Sequence, residues 1–183
     1  SSRCNFHGVK DHFEAAEGVR GQGFRCKGGT VSLAGDPLFF PRTGITIELW
    51  AKTDRAGQTD RYFINTVQAS DTGYRLGFAG GKVSFQVPVT AWSHSLTCQE
   101  PLPPGKWAHI AATYDNETMR LYVDGQLKGE LKRGGAIRPS AGKLVLGNYM
   151  GGHATAWFDG VMDEVRLYDR ALSAEEIREH ARR

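Results

Sequence analysis

No apolar run in this 183-residue chain is long enough to cross a bilayer, and the opening Ser1-Ser2-Arg3-Cys4 lacks the apolar core of a secretory leader. A soluble chain, excised from a longer precursor, is the expectation. Runs of one charge are also missing: the net charge is +3 with acidic and basic residues interspersed, which argues against a nucleic-acid-binding patch and names no partner. Cysteine is scarce, and the spacing of Cys4, Cys26 and Cys98 fits neither a zinc ribbon nor a CxxC redox pair. These three allow a Cys4–Cys26 disulfide that pins an N-terminal segment poor in apolar residues, or three free buried thiols. The six histidines, His7, His12, His94, His109, His153 and His180, show no HxH or HxxxH spacing, which argues against zinc. Ser93-His94-Ser95 has no strand-turn-helix elbow around it, and adjacent residues on an extended segment point to opposite faces, so no nucleophilic triad is read there.

What is abundant is glycine. The 23 glycines and 7 prolines fall between short apolar runs, where turns sit. Residues 1–22 read as an irregular arm. Strands are expected near Phe24–Cys26 and Thr30–Leu33, then at Ile45–Lys52, where Ile45, Ile47 and Leu49 alternate with polar neighbours. Trp50 breaks that parity, so the second face of this strand is expected to be partly covered as well. Further strands follow at Tyr62–Gln68, and at Tyr74–Ala79 and Lys82–Val89 around Gly80-Gly81, a hairpin signature. Trp107–Tyr114 is continuously apolar, as in a strand buried on both faces, and turns at Asp115-Asn116 and Asp124-Gly125 lead to Met119–Val123 and Gln126–Leu131. Leu144–Gly147 and Val161–Tyr168 complete the set. One helix is signalled after Leu172: Ser173 as N-cap, Glu176 closing a capping box, and Leu172 stapled to Ile177. More than ten short strands with one helix predict an all-β fold, a two-sheet antiparallel β-sandwich with a short C-terminal helix, as a single domain over 1–183.

Five blocks carry a resemblance. They are GITIELWAKTD at 44–54, GKWAHIAATYD at 105–115, MRLYVDGQ at 119–126, LVLGN at 144–148 and FDGVMDEVRLYDRALSAEEI at 158–177. In this order they closely resemble the LamG-like jelly-roll family of the concanavalin A-like lectin/glucanase superfamily, from about residue 18 to the end. The resemblance implies a jelly roll. Members of the family serve as carbohydrate-binding modules beside glycosidases, as adhesion or receptor-binding domains, and as parts of secreted proteins, so the fold alone does not choose among them. It also implies a structural calcium ion where Asp163 meets backbone carbonyls of the N-terminal segment near Gly28 and Gly29. The N-terminal arm departs from the family pattern, in which an apolar strand with an acidic residue comes first. His12-Phe13-Glu14 is the part similar to it, and Glu14 joins the metal set on that footing. From the residues alone, Asp163 is equally read as satisfied by backbone N–H groups or by Arg25 or Arg166, because a carboxylate sharing parity with Val161, Val165 and Leu167 needs a partner.

Related β-glucanases place two glutamates around an aspartate on one strand, as Glu-x-Asp-x-x-Glu, so that acid and nucleophile share a face. No Glu-x-Asp occurs in this chain, and Glu48 reads as solvated or arginine-paired. No enzyme is expected. For binding, the candidates are Trp92 and His94 in the 90–104 excursion, Arg138, and Asn148, Tyr149, His153 and Trp157 in the glycine-rich 147–157 stretch. Sugars stack their apolar faces on aromatic rings while amide, arginine and histidine groups bond the hydroxyls. Trp50 and Trp107 are expected in the core. The function expected is thus a non-catalytic carbohydrate-binding module, part of a larger secreted or cell-surface protein, with a glycan partner; a protein-interaction or adhesion domain of the laminin-G type with an extracellular protein partner is the alternative, and a carbohydrate-active hydrolase or lyase the third reading.

Overall fold

The computed structural model describes residues 9–33, 36–41, 43–67, 72–89, 95–140, 142–149 and 157–182. Cys4, Trp92, His94 and His153 lie outside them. The strands are β1 (Val9–Glu17), β2 (Gln22–Leu33), β3 (Ile45–Thr53), β4 (Arg61–Asn65), β5 (Arg75–Ala79), β6 (Lys82–Gln86), β7 (Ser95–Thr97), β8 (Trp107–Tyr114), β9 (Thr118–Val123), β10 (Gln126–Lys132), β11 (Leu144–Leu146) and β12 (Gly160–Tyr168). An α-helix, α1 (Ala174–His180), follows, opened by the Ser173–Glu176 capping box.

All pairings between these strands are antiparallel, and the two sheets of the sandwich share β2. Its first half, Phe24–Cys26, pairs with β12 in the sheet β10-β9-β8-β3-β12-β2. Its second half, Val31–Leu33, pairs with β11 in the sheet β2-β11-β4-β5-β6-β7. A long strand that passes from one sheet to the other closes one side of the sandwich. At the opposite side the free edges face each other, with Leu96 of β7 over Gly129 of β10. Between the sheets the inward residues interdigitate: Ile47, Leu49, Ile110 and Leu121 from one, Phe63, Leu76, Phe78, Val83 and Phe85 from the other.

Three sequence expectations need correction. Residues 1–22 are not wholly irregular, because β1 pairs with β2 along its length, and Phe13 sits edge-on to Phe24 at 5.5 Å. The ladder holds it, with Phe13 packed on the core. β7 was not expected at all; it adds three residues to the edge of β6. Trp50 and Trp107 are not in the core but half-buried on the outer face of the first sheet, Trp50 against His109 at 5.3 Å and Trp107 under the Lys52 ammonium at 5.1 Å. Of the two readings of Glu48, the arginine-paired one is what the structure shows, with Arg166 as the partner.

Glu48 is 1% exposed on the outer face of β3, beneath α1. That face is covered because Leu172 and Ile177 bury themselves against Ala111 and Tyr122. Glu48 Oε1 accepts from Tyr168 Oη at 2.8 Å and Arg166 Nη1 at 3.2 Å. Oε2 lies 2.9 Å from His180 Nδ1, and 3.7 Å from His109 Nε2, an electrostatic contact rather than a hydrogen bond. Burial alone would raise its pKa; the contacts of His109, His180 and Tyr168 outweigh it and bring the carboxyl down to about 2.

Candidate functional site

The outer face of the second sheet carries a largely buried polar row, and the hairpin register decides which of its side chains meet. Ala79 pairs with Lys82 across the Gly80-Gly81 turn, which sets Gly77 opposite Ser84 and Arg75 opposite Gln86. Since Leu76, Phe78, Val83 and Phe85 point into the core, Arg75, Gly77, Ala79, Ser84 and Gln86 share the outer face. With Asp60, Tyr62 and Ser95 they line a shallow depression of ≈ 30 Å³. That holds about one water molecule. A ligand here lies along the surface instead of being engulfed.

The floor is shaped by Gly77. A Cβ there would stand 2.2 Å from Arg61 O and 3.0 Å from Tyr62 Cδ1, so only glycine lets β4 and the Tyr62 ring come this close. Tyr62 is itself buried, 8% exposed, and works as a spine. Tyr149 packs against its ring at 5.7 Å, and the Arg75 guanidinium lies over it at 5.3 Å. Arg75 Nε donates to Gln86 Oε1, and Nη1 donates to Tyr62 Oη at 3.2 Å. Burial is the main reason the Tyr62 hydroxyl is pushed up in pKa, against the pull of Arg75. It stays a neutral phenol. A second aromatic–cation pair adjoins β4: Trp157 bridges to Tyr62 through the backbone, and Arg61 lies over its ring at 5.2 Å while donating to Trp157 O at 2.8 Å.

Of the residues proposed from sequence, Tyr149 and Trp157 are thus brought together around Tyr62, and both are half-buried with surface to offer. Asn148 is buried, its Oδ1 accepting from Tyr149 N at 2.7 Å, so it shapes the turn that presents Tyr149. Arg138 is exposed; its carbonyl accepts from Gly73 N, and it does not line the depression. Trp92 and His94 directly precede Ser95 in the chain but lie outside the described residues, as does His153. Sequence reasoning missed Tyr62, Arg75, Ser84, Gln86 and Asp60. The signal was the two-residue turn at Gly80-Gly81, which sets the register and so the outer row.

The residues of the proposed metal set are placed as follows. Asp163 is 5% exposed, but a bulge between Asp163 and Arg166, with Glu164 at φ 50°, shifts the register. Asp163 consequently stands beside Trp50 on the outer face, out of parity with Val165 and Leu167, which pack against the core. Its Oδ2 accepts from Arg20 N at 3.0 Å and its Oδ1 from Glu164 N at 2.8 Å. The turn from Gly18 to Gly21 wraps the carboxylate so closely that a Cβ at Gly18 would come 2.3 Å from Oδ2. Calcium takes carboxylate and carbonyl oxygens, whereas this turn presents an N–H. Gly28 lies five residues along β2 from Gly23, which does border Asp163, and faces the Trp157 ring at 3.9 Å. Glu14 is exposed and in register with Arg25. Both arginines considered for Asp163 are engaged elsewhere, Arg25 with Asp54 and Arg166 with Glu48 and Glu164. Among the described residues no group of three or more His, Cys, Asp or Glu could hold a metal ion. Cys26 is a free thiol packed in the core, with burial raising its pKa far above the ordinary range, and Cys98 is free and buried too.

Comparison with known proteins agrees with this architecture. Domain 4 of AbnA, an extracellular arabinanase from Geobacillus stearothermophilus, solved in complex with arabinotriose, is 19% identical with a TM-score of 0.69, over 92% of this chain and 81% of that one. The binding domain of Paraclostridial Mosquitocidal Protein 1 is 14% identical with a TM-score of 0.74, over 94% of this chain but 46% of that one. The chain therefore spans less than half of the toxin domain. The native heptameric SAP-like pentraxin from Limulus polyphemus is 18% identical with a TM-score of 0.60, over 83% and 81%. At these identities the likeness is one of fold. The sequence profile of the concanavalin A-like lectin/glucanases superfamily matches residues 27–178, and this jelly-roll chain belongs to that superfamily.

Proposed function

We propose that the chain is a non-catalytic carbohydrate-binding module that holds a glycan along the outer face of the second sheet, within a larger secreted or cell-surface protein. The observation that carries this reading is the ledge of Tyr149, Tyr62 and Arg75 beside a glycine floor lined by Ser84 and Gln86. Rings supply stacking for the apolar faces of a sugar, and the amide, hydroxyl and guanidinium groups bond its hydroxyls. The arabinanase domain was solved with a bound arabinotriose, which supports the same use of the fold. Glycoside hydrolysis needs two carboxylates about 5–9.5 Å apart. Asp60 is the one carboxylate lining the depression among the described residues, and Glu48 is sealed under α1. That supports binding without catalysis.

The protein-interaction alternative has one specific observation behind it: Leu127, 51% exposed on the edge strand β10, is the exposed large hydrophobic among the described residues. A protein-binding face needs a contiguous patch of a few hundred Å², so the glycan reading is favoured. Its test is a broad glycan array followed by calorimetry with Tyr149→Ala and Trp157→Ala. Each substitution is expected to weaken the bound glycan about tenfold, about 1.4 kcal/mol, with the melting temperature little changed. A folded parent that no glycan retains, or a double variant that keeps the parental affinity, overturns the proposal.

Calcium at Asp163 is a separate proposal with its own measurement. Asp163→Asn is expected to cost about 1–3 kcal/mol, because an amide cannot accept both N–H bonds of the turn. If an ion also sits there, adding calcium raises the melting temperature of the parent and leaves that of D163N unmoved. A parent indifferent to calcium and chelator sinks the ion and leaves Asp163 as the anchor of the Gly18–Gly21 turn.

A further inference from the structure

Resting on that glycan-binding reading, we infer that the ligand carries a carboxylate, as a uronic acid or another carboxylated sugar does, and that Arg75 reads it. Three features point there. Arg75 is oriented before any ligand arrives: its plane rests on the Tyr62 ring, with Nε on Gln86 and Nη1 on the Tyr62 hydroxyl. A guanidinium held by neighbours has already lost the rotamer freedom that binding would otherwise cost, and its planar fork matches a carboxylate in two-point geometry, which a lysine cannot reproduce. The support is specific as well as rigid. Gln86 is 2% exposed, and its buried amide oxygen aims Nε.

The charge around the depression has the matching sign. Lys82, opposite Ala79 and on the same outer face as Ser84 and Gln86, joins Arg75, whereas the described lining contributes one acid, Asp60. Asp60 is exposed at the end of β4, held in the left-handed region with φ 53° while its N–H bonds Phe78 O. Arg75 and Asp60 therefore differ in sign across one shallow surface. A sugar laid between them binds in one direction, carboxylate toward Arg75 and hydroxyls toward Asp60.

The experiment compares neutral oligosaccharides with carboxylated counterparts of the same skeleton, such as galactose and galacturonate oligomers, together with a sulfated set, by calorimetry on the parent chain at low and high NaCl. The expected result is at least a tenfold preference for the carboxylated member, shrinking with salt. Arg75→Gln is expected to abolish the preference, and Arg75→Lys to restore only part of it. Gln86→Glu, which lays a carboxylate on Arg75 from within, is expected to abolish it too, and serves if R75Q lowers the melting temperature. Equal binding of neutral and carboxylated members, or a preference that survives both variants, overturns the inference and leaves the glycan-binding module standing. Binding of sulfated sugars alone overturns the carboxylate assignment. A folded parent that binds none of the sets overturns the inference and the module together.

Discussion

Glu48→Ala is expected to lower the stability of the chain by about 3 kcal/mol, the low end of what breaking a buried ion pair costs. That corresponds to a melting temperature about 6–12 °C lower for a chain of this size. The deletion leaves Tyr168 Oη and His180 Nδ1 without their acceptor beneath α1, and opens a gap on a face that is otherwise packed. The figure is at the low end because Arg166 is 36% exposed and keeps Glu164. Acid titration provides the independent check. With the folded carboxyl at about 2 and an unfolded glutamate near 4.3, the native state binds fewer protons than the unfolded chain between these values. The contribution of Glu48 is therefore full above about pH 5 and drains away as the pH falls through 4 toward 2. Urea unfolding of the parent and of Glu48→Gln at pH 7, 4 and 3 measures it: the gap between them is expected to narrow with acid. A gap that stays constant, or a parent no more stable than E48A at pH 7, removes Glu48 as the clasp of α1.

Glu48 also marks where reading the sequence succeeds and where it stops. The tryptophan at position 50 signalled a covered second face on β3, and Ser173 with Glu176 signalled the helix; together they are the cover and the covered. The polar occupants under the helix were not legible, because Glu48, His109, Arg166 and His180 are scattered over 133 positions and meet only through the β12-β3-β8 ladder. Strand β1 escaped for a different reason. Its sequence, VKDHFEAAE, has no alternating apolar face, and it is held by backbone pairing to β2 with Phe13 packed on Phe24 and the core. In the candidate site the tyrosine and tryptophan of the glycine-rich stretch were identifiable by type. Arg75, Ser84 and Gln86 were not, since on a single strand they look like any solvent-facing row. Pairing the strands makes them neighbours, and the Gly80-Gly81 turn contains that pairing.

Gly77→Ala should have the second large effect, and it joins stability to binding. The new methyl would meet Arg61 O at 2.2 Å and Tyr62 Cα at 2.8 Å, both backbone atoms of the neighbouring strand, so no rotamer change relieves it. β4 must move away from β5 at the bulge between Tyr62 and Ile64. Overpacking of this kind costs about 1–3 kcal/mol, and the lost ladder bonds add to it. A fall of about 3 kcal/mol is expected, measured by denaturant unfolding. The functional consequence follows from the same displacement. Tyr62 packs against both Tyr149 and Arg75, so shifting its ring misplaces the stacking surface and the guanidinium together. Glycan affinity of the folded G77A protein should therefore drop by more than the tenfold expected for Tyr149→Ala alone. Gly57→Ala is the control, with φ of 69° and open space around its Cβ position: it strains a loop without touching β4 or β5. If G77A loses stability but binds as the parent does, the ligand does not lie on the Tyr62 ledge, and the binding face must be sought elsewhere on the sandwich.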